Sequence, residues 1–223
     1  MPDPTAQGVR PCAIMLYSKR GRCRYLSHLD VARAVDRAVR RAGLPVAYSQ
    51  GFHPQAQISF GPPPPLGMEA LGEPCCLDLQ HPAPAVELIR ALARQMPADL
   101  ALVSLQTAWR GRRSPLADLQ QAGYEAHLAP EADLEGWADA TERLRAAGQW
   151  LVTRQTKRQQ VTVDLLPGLR VLELRPAPAP VLYLELSLAP ATLVKPAEVL
   201  QALAELTGRP AVPVGRWVRT FVR

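Results

Sequence analysis

Two histidines and a band of arginines are the residues in this chain whose types suit chemistry on a polyanion. His28 and His53 could each serve as a general acid or base, since a neutral imidazole titrates close to physiological pH. His28 falls in the first turn of an expected helix. A buried, hydrogen-bonded histidine on the apolar side of that helix is an equally good reading. Asp30 lies about 200° around the helix from His28, so the two do not form a simple dyad. It is expected instead to favour the positive helix end or to pair with a neighbouring arginine. Lys19, Arg20, Arg22 and Arg24 form a basic strip that Arg33, Arg37 and Arg40 continue along the helix. That strip could contact a phosphate backbone, with Tyr17, Tyr25 or Phe52 stacking on bases. The bland alternative is a solvated charge run, with Tyr48, Phe52 and Phe60 bracing a loop from within.

The charge is uneven. The 223 residues hold 26 Lys+Arg against 20 Asp+Glu, a net +6. Residues Arg10 to Arg41 carry nine basic and two acidic groups, a local +7, whereas Ser114 to Gln149 carry two basic and seven acidic, a local −5. Only Lys19, Lys157 and Lys195 are lysines, and arginine suits bidentate phosphate contacts better. The four cysteines, Cys12, Cys23, Cys75 and Cys76, have no C-x-x-C spacing, so free thiols are expected and no metal site. No apolar run approaches about 20 residues and Met1 to Arg10 lacks the core of a secretion signal, which predicts a cytoplasmic protein with no membrane partner.

These groups need a scaffold, and the patterning predicts one. A strand over Ala13 to Lys19 leads through a turn at Gly21 into a helix capped by Ser27 and ended by Gly43, with Pro45 beyond. Val31, Val35, Ala38 and Ala42 form its apolar stripe; Arg33, Arg37, Arg40 and Arg41 lie opposite. Short strands follow at Val46 to Tyr48, Ile58 to Phe60 and Cys75 to Gln80, then a helix over Ala85 to Gln95 and a strand over Leu100 to Ala108. Residues 12–108 thus read as a ferredoxin-like β-α-β-β-α-β domain. Residues 109–122, with Arg110, Arg112 and Arg113, read as a solvated linker. Residues 123–223 read as a second such domain with a helix from about Glu131 to Ala147 and an extra hairpin. The expected class is α+β, a tandem of ferredoxin-like domains.

Between them, Gly51 to Gly72 hold five prolines and four glycines in 22 residues, a rigid and sharply turning loop. Gly51, Gly61 and Gly67 permit positive φ there. The proline runs Pro62 to Pro65 and Pro176 to Pro180 are expected to rigidify turns. No glycine pattern matches a nucleotide-binding fingerprint.

Tyr17-Ser18-Lys19, Gly21, Arg24-Tyr25-Leu26-Ser27-His28-Leu29-Asp30 and Arg40-Arg41-Ala42-Gly43-Leu44-Pro45 resemble the opening of the radical SAM-linked protein family. Tyr48-Ser49-Gln50-Gly51-Phe52-His53-Pro54, Ile58-Ser59-Phe60 and Pro65-Leu66-Gly67 continue the resemblance. These bacterial proteins of undetermined role are encoded beside, or fused to, a cobalamin-binding-type radical SAM protein. The resemblance implies such a partner. The chain itself lacks the C-x-x-x-C-x-x-C spacing that holds a [4Fe–4S] cluster, so the cluster and S-adenosylmethionine are expected in the partner and no cofactor here.

The leading expectation is a non-catalytic accessory module. It would bind tRNA or rRNA through Lys19, Arg20, Arg22, Arg24, Arg33, Arg37 and Arg40, with Tyr25, His28, Gln50, Phe52 and His53 shaping recognition. A metal-independent RNA-processing enzyme using His28 or His53, and a pure protein-docking domain, are the alternatives.

Overall fold

In the computed structural model, which describes residues 8–129, 134–155, 159–175, 179–208 and 212–223, the chain divides into two units. One is Met1–Leu119 with Val222, the other Gln120–Phe221 with Arg223. Both mix strands and helices, as the α+β class requires, and the described residues include four helices.

The first unit is built on β1 (Arg10–Lys19), which pairs antiparallel with β3 (Glu69–Asp78) on one side and β4 (Leu102–Arg110) on the other. The short β2 (Ile58–Phe60) adds to the far side of β3, giving the order β4-β1-β3-β2. Two helices, α1 (His28–Arg41) and α2 (Ala85–Ala93), follow β1 and β3 in the chain. Ala13, Met15 and Tyr17 of β1 share a core with Cys75 and Leu77 of β3 and with Val31, Val35, Ala38 and Val39 of α1. At about 1.5–3 kcal/mol for each large apolar side chain buried, this stripe fixes which side of α1 faces the sheet. Ser27 caps the helix, its hydroxyl accepting from the Asp30 amide at 3.2 Å, and Gly43 ends it with φ +62°.

The extended segment at Val46 to Tyr48 departs from the expected strand. It forms only isolated antiparallel bridges, Val46 to Leu79 and Tyr48 to Ala56. Pro45 has no amide to donate and the chain turns back on itself after Tyr48, so no continuous ladder develops. The expected linker also shortens, because Trp109 and Arg110 belong to β4 and β5 (Gln121–Leu128) begins at Gln121.

In the second unit the strand order is β10-β5-β9-β8, with β8 (Leu169–Arg175), β9 (Val181–Ser187) and β10 (Val214–Val222). β8 and β9 form the hairpin that alternation predicts. A separate two-stranded sheet pairs β6 (Leu151–Gln155) with β7 (Gln160–Asp164). Helix α3 (Trp137–Ala146) starts after Gly136, while the expected start near Glu131 lies outside the described residues. Part of the proline run 176–180 lies outside them too. Helix α4 (Pro196–Thr207) is capped at Lys195, whose amide donates to Glu198, and Arg154 of β6 grips the same carboxylate at 2.7 and 2.8 Å. Among the described residues no helix is long and apolar enough to cross a membrane.

Candidate functional site

The first unit brings the motif residues to the end of β1 and the start of α1. The β1–β3 register shifts between Tyr17 and Lys19, so simple alternation does not set the direction of Lys19. Its side chain is buried, 3% exposed, and Nζ donates to the Leu26 carbonyl at 2.9 Å. This corrects the expectation of Lys19 as part of an exposed strip: its charge is an internal anchor for the turn that follows.

That turn is a 3-10 helix over Gly21–Tyr25. Asp99 organises it from the segment before β4: its carbonyl accepts from the Arg20 amide at 2.8 Å and its carboxylate from the Arg22 amide at 3.1 Å. Gly21 donates its amide to Glu69 at 3.2 Å and has φ +49°. A Cβ at Gly21 would stand 2.5–2.9 Å from the Asp99 carboxylate. Gly21→Ala therefore meets both a backbone conflict and a clash. It is expected to lower stability by about 1–3 kcal/mol in urea denaturation. A loss under about 0.5 kcal/mol would contradict this packing.

Arg24 turns inward enough to lie 3.6 Å from Glu69 while Nη2 donates to the Tyr25 hydroxyl at 2.7 Å. Its guanidinium stands 4.8 Å from the Tyr25 ring centroid. Tyr25 remains exposed, and the Arg24 carbonyl accepts from the Gly67 amide at 3.0 Å. The proline-rich loop is thereby stitched to the turn. Gly51 and Gly67 use positive φ, but Gly61 does not: it is small because a Cβ there would approach Pro74 to 2.7 Å.

His28 is exposed, and its ring meets Phe60 edge-on at 5.4 Å; Phe60 in turn meets Tyr17 at 6.4 Å. Phe60 is thus half-buried bracing, not a free stacking surface. Asp30 does not serve His28. It accepts from the Ser27 hydroxyl at 2.6 Å and pairs with Arg33 at 3.8 Å. The Ser27 hydroxyl, with its backbone and arginine neighbours, holds the Asp30 carboxyl below the usual range despite desolvation. Because the folded pKa lies below the unfolded one, the stabilisation is present above the ordinary carboxylate range and is lost as pH falls through the folded value. Ser27→Ala should move the Asp30 titration, followed by carboxyl NMR, upward toward the ordinary range. An unshifted titration would remove Ser27 as the cause.

Along α1, Arg33, Arg37 and Arg40 are exposed. Arg40 bonds Asp36 at 2.9 Å and stands 5.2 Å from the Tyr48 ring centroid, tying this face to the base of the 49–55 loop. The loop is closed by the Ser49 amide donating to the Gln55 carbonyl at 2.8 Å and the Gln55 amide donating to the Ser49 hydroxyl at 3.0 Å. Gln50, Phe52 and His53 lie exposed on it, and Phe52 is 102% exposed. The described contacts join Arg24 and Tyr25 to the proline-rich loop, His28 to Phe60, and Arg40 to Tyr48. They do not bring His28, His53 and Gln50 together.

Sequence reasoning missed Asp99 and Glu69, lone acids whose roles arise only from strand pairing. It also misread Arg110. That side chain ends β4 and grips both oxygens of buried Asp78, with Nε to Oδ1 at 2.6 Å and Nη2 to Oδ2. Nearby, burial above all pushes the Cys76 thiol up to about 12, and burial likewise raises Cys12, Cys23 and Cys75. All four are free thiols, poorly suited to thiolate chemistry. Among the described residues, no group of three or more His, Cys, Asp or Glu is placed to hold a metal ion. The second unit contains a cavity of about 540 Å³ lined by α3, α4 and β6 residues such as Arg143, Leu206 and Leu151; no predicted site residue lines it.

A family model described as an uncharacterized protein conserved in bacteria, DUF2344, matches residues 13–202, a span that contains every predicted site residue. No curated protein matches the chain.

Proposed function

We propose, from the premise that this chain belongs to that bacterial family of uncharacterized proteins, that it is a non-catalytic module binding single-stranded or structured RNA. One observation carries the reading: Phe52 is wholly exposed on a loop whose base is held by Arg40, on the same helix face as Arg33 and Arg37. An apolar ring in water suits an unstacked base, and the guanidinium groups of the α1 face suit phosphates. Arg20, Arg22 and Tyr25, all exposed, extend the same chemistry from the 3-10 turn. The orders β4-β1-β3-β2 and β10-β5-β9-β8 support reading the two units as ferredoxin-like domains, the second with β6 and β7 inserted. The motif strings support a radical SAM protein as the partner to which the RNA is presented, with iron–sulfur cluster and S-adenosylmethionine on that partner. A cytoplasmic setting is part of the same reading.

Base stacking on an aromatic is worth about 1–3 kcal/mol by alanine substitution. Phe52→Ala should therefore weaken binding of a labelled single-stranded RNA, read by fluorescence anisotropy, by about tenfold. No binding by the unaltered protein, or equal binding by Phe52→Ala, would overturn the role of the loop in RNA recognition. The exposed Phe52 also favours a second reading, docking to a protein partner. In that case Phe52→Ala would abolish co-purification with the radical SAM protein in nuclease-treated extracts.

A further inference from the structure

The start of β1 and the end of β4 build a second basic feature, apart from the α1 face. Arg10 and Arg110 stand opposite one another in the antiparallel β1–β4 register, and the turn after β4 carries Arg112. Together with Gly8 and Gly111 they line a cleft of about 330 Å³. Its volume is within the range of small-ligand sites, and none of its lining residues is acidic.

The three arginines do different things. Arg110 is committed: its Nε and Nη2 hold Asp78, and Nη1 points to the carbonyls of Gly111 at 3.3 Å and Arg112 at 3.4 Å. Its charge is balanced and its guanidinium holds the turn in shape. Arg10 and Arg112 are exposed, and among the described residues neither has a carboxylate partner. Arg113, by contrast, is paired with Asp118 at 2.7 Å. A Cβ at Gly8 or Gly111 would meet nothing within 4 Å, so the cleft walls there are open backbone. Two uncompensated guanidinium groups and accessible backbone suit an anion with several charged oxygens, because arginine binds such oxygens in pairs.

We propose that this cleft binds a phosphoryl group, with Arg10 and Arg112 as the contacting residues and Arg110 as the positioning residue. The group is a free diphosphate or a phosphodiester of an RNA strand, two sources with one chemistry.

Titration calorimetry of the full chain with inorganic pyrophosphate should show saturable binding. Arg10→Ala and Arg112→Ala should each weaken it by about tenfold, whereas Arg33→Glu/Arg37→Glu should retain it. If pyrophosphate displaces labelled RNA, the cleft is a backbone contact; if both bind together, it serves a free diphosphate. Either result supports the site. Absence of saturable binding overturns it. So does equal binding by the unaltered chain and by Arg10→Gln and Arg112→Gln variants of unchanged circular dichroism. The pyrophosphate measurement needs no RNA, so failure of the RNA reading and failure of this cleft are separately visible.

Discussion

Asp78→Ala should destabilise the protein by about 3 kcal/mol in urea denaturation, near the lower end for removing one partner of a buried ion pair. Asp78 is 3% exposed and Arg110 only partly open to solvent, so the arginine would be left half-buried without its counter-charge. The backbone bonds of Asp78, its carbonyl accepting from the Ala47 amide at 2.7 Å and its amide donating to the Gln57 carbonyl at 3.0 Å, survive the substitution, so the loss reports the ion pair. Arg110 in turn holds the carbonyls of the following turn. The double replacement Asp78→Leu/Arg110→Met removes both charges at once and should recover most of the loss, since an apolar pair of similar volume avoids the desolvation of either ion. A single Asp78→Ala loss below about 1 kcal/mol would mean that the pair behaves as an exposed one.

Arg33→Glu/Arg37→Glu should reduce RNA affinity roughly a hundredfold at about 0.1 M salt while leaving the fold intact. Each reversal removes a cation that can release a condensed counterion and puts an anion in its place. Both side chains point away from the core on α1, and glutamate is a good helix former, so the change acts on the ligand more than on the helix. Arg33 does lose its pairing with Asp30, but that contact is exposed and Ser27 continues to hold the carboxylate. Unchanged RNA affinity in this variant would remove the α1 face from the interface.

Local signals made the first unit legible wherever a few neighbouring residues decide the outcome. Ser27, the four-residue apolar stripe and Gly43 delimit α1 without help from distant chain. The alternation in Leu169 to Arg175 and Val181 to Ser187 similarly specifies the β8–β9 hairpin. Burial of Lys19 was not legible, because the register shift between Tyr17 and Lys19 breaks the alternation that would place it. Nor was the role of Arg110. Its partner Asp78 is 32 residues away and becomes adjacent only when β3 and β4 both pair with β1. The same holds for Asp99 and Glu69, which meet the Gly21–Tyr25 turn across strand ends. As for the candidate site, the cationic face of α1 and the loop tip were visible as composition. That Phe52 projects wholly into solvent was not, since an aromatic between turn residues could equally have folded inward.

The salt dependence of tRNA binding reads out whether the exposed arginines meet phosphates. For single strands the slope of log K against log salt is roughly −0.7 per phosphate neutralised. Five exposed arginines, Arg20, Arg22, Arg33, Arg37 and Arg40, would then give a slope of about −3.5. Anisotropy titrations from about 0.05 to 0.3 M salt should yield saturable binding with that slope. Binding that is absent at the lowest salt, or that stays unchanged across the range, would contradict an RNA-binding role for this surface.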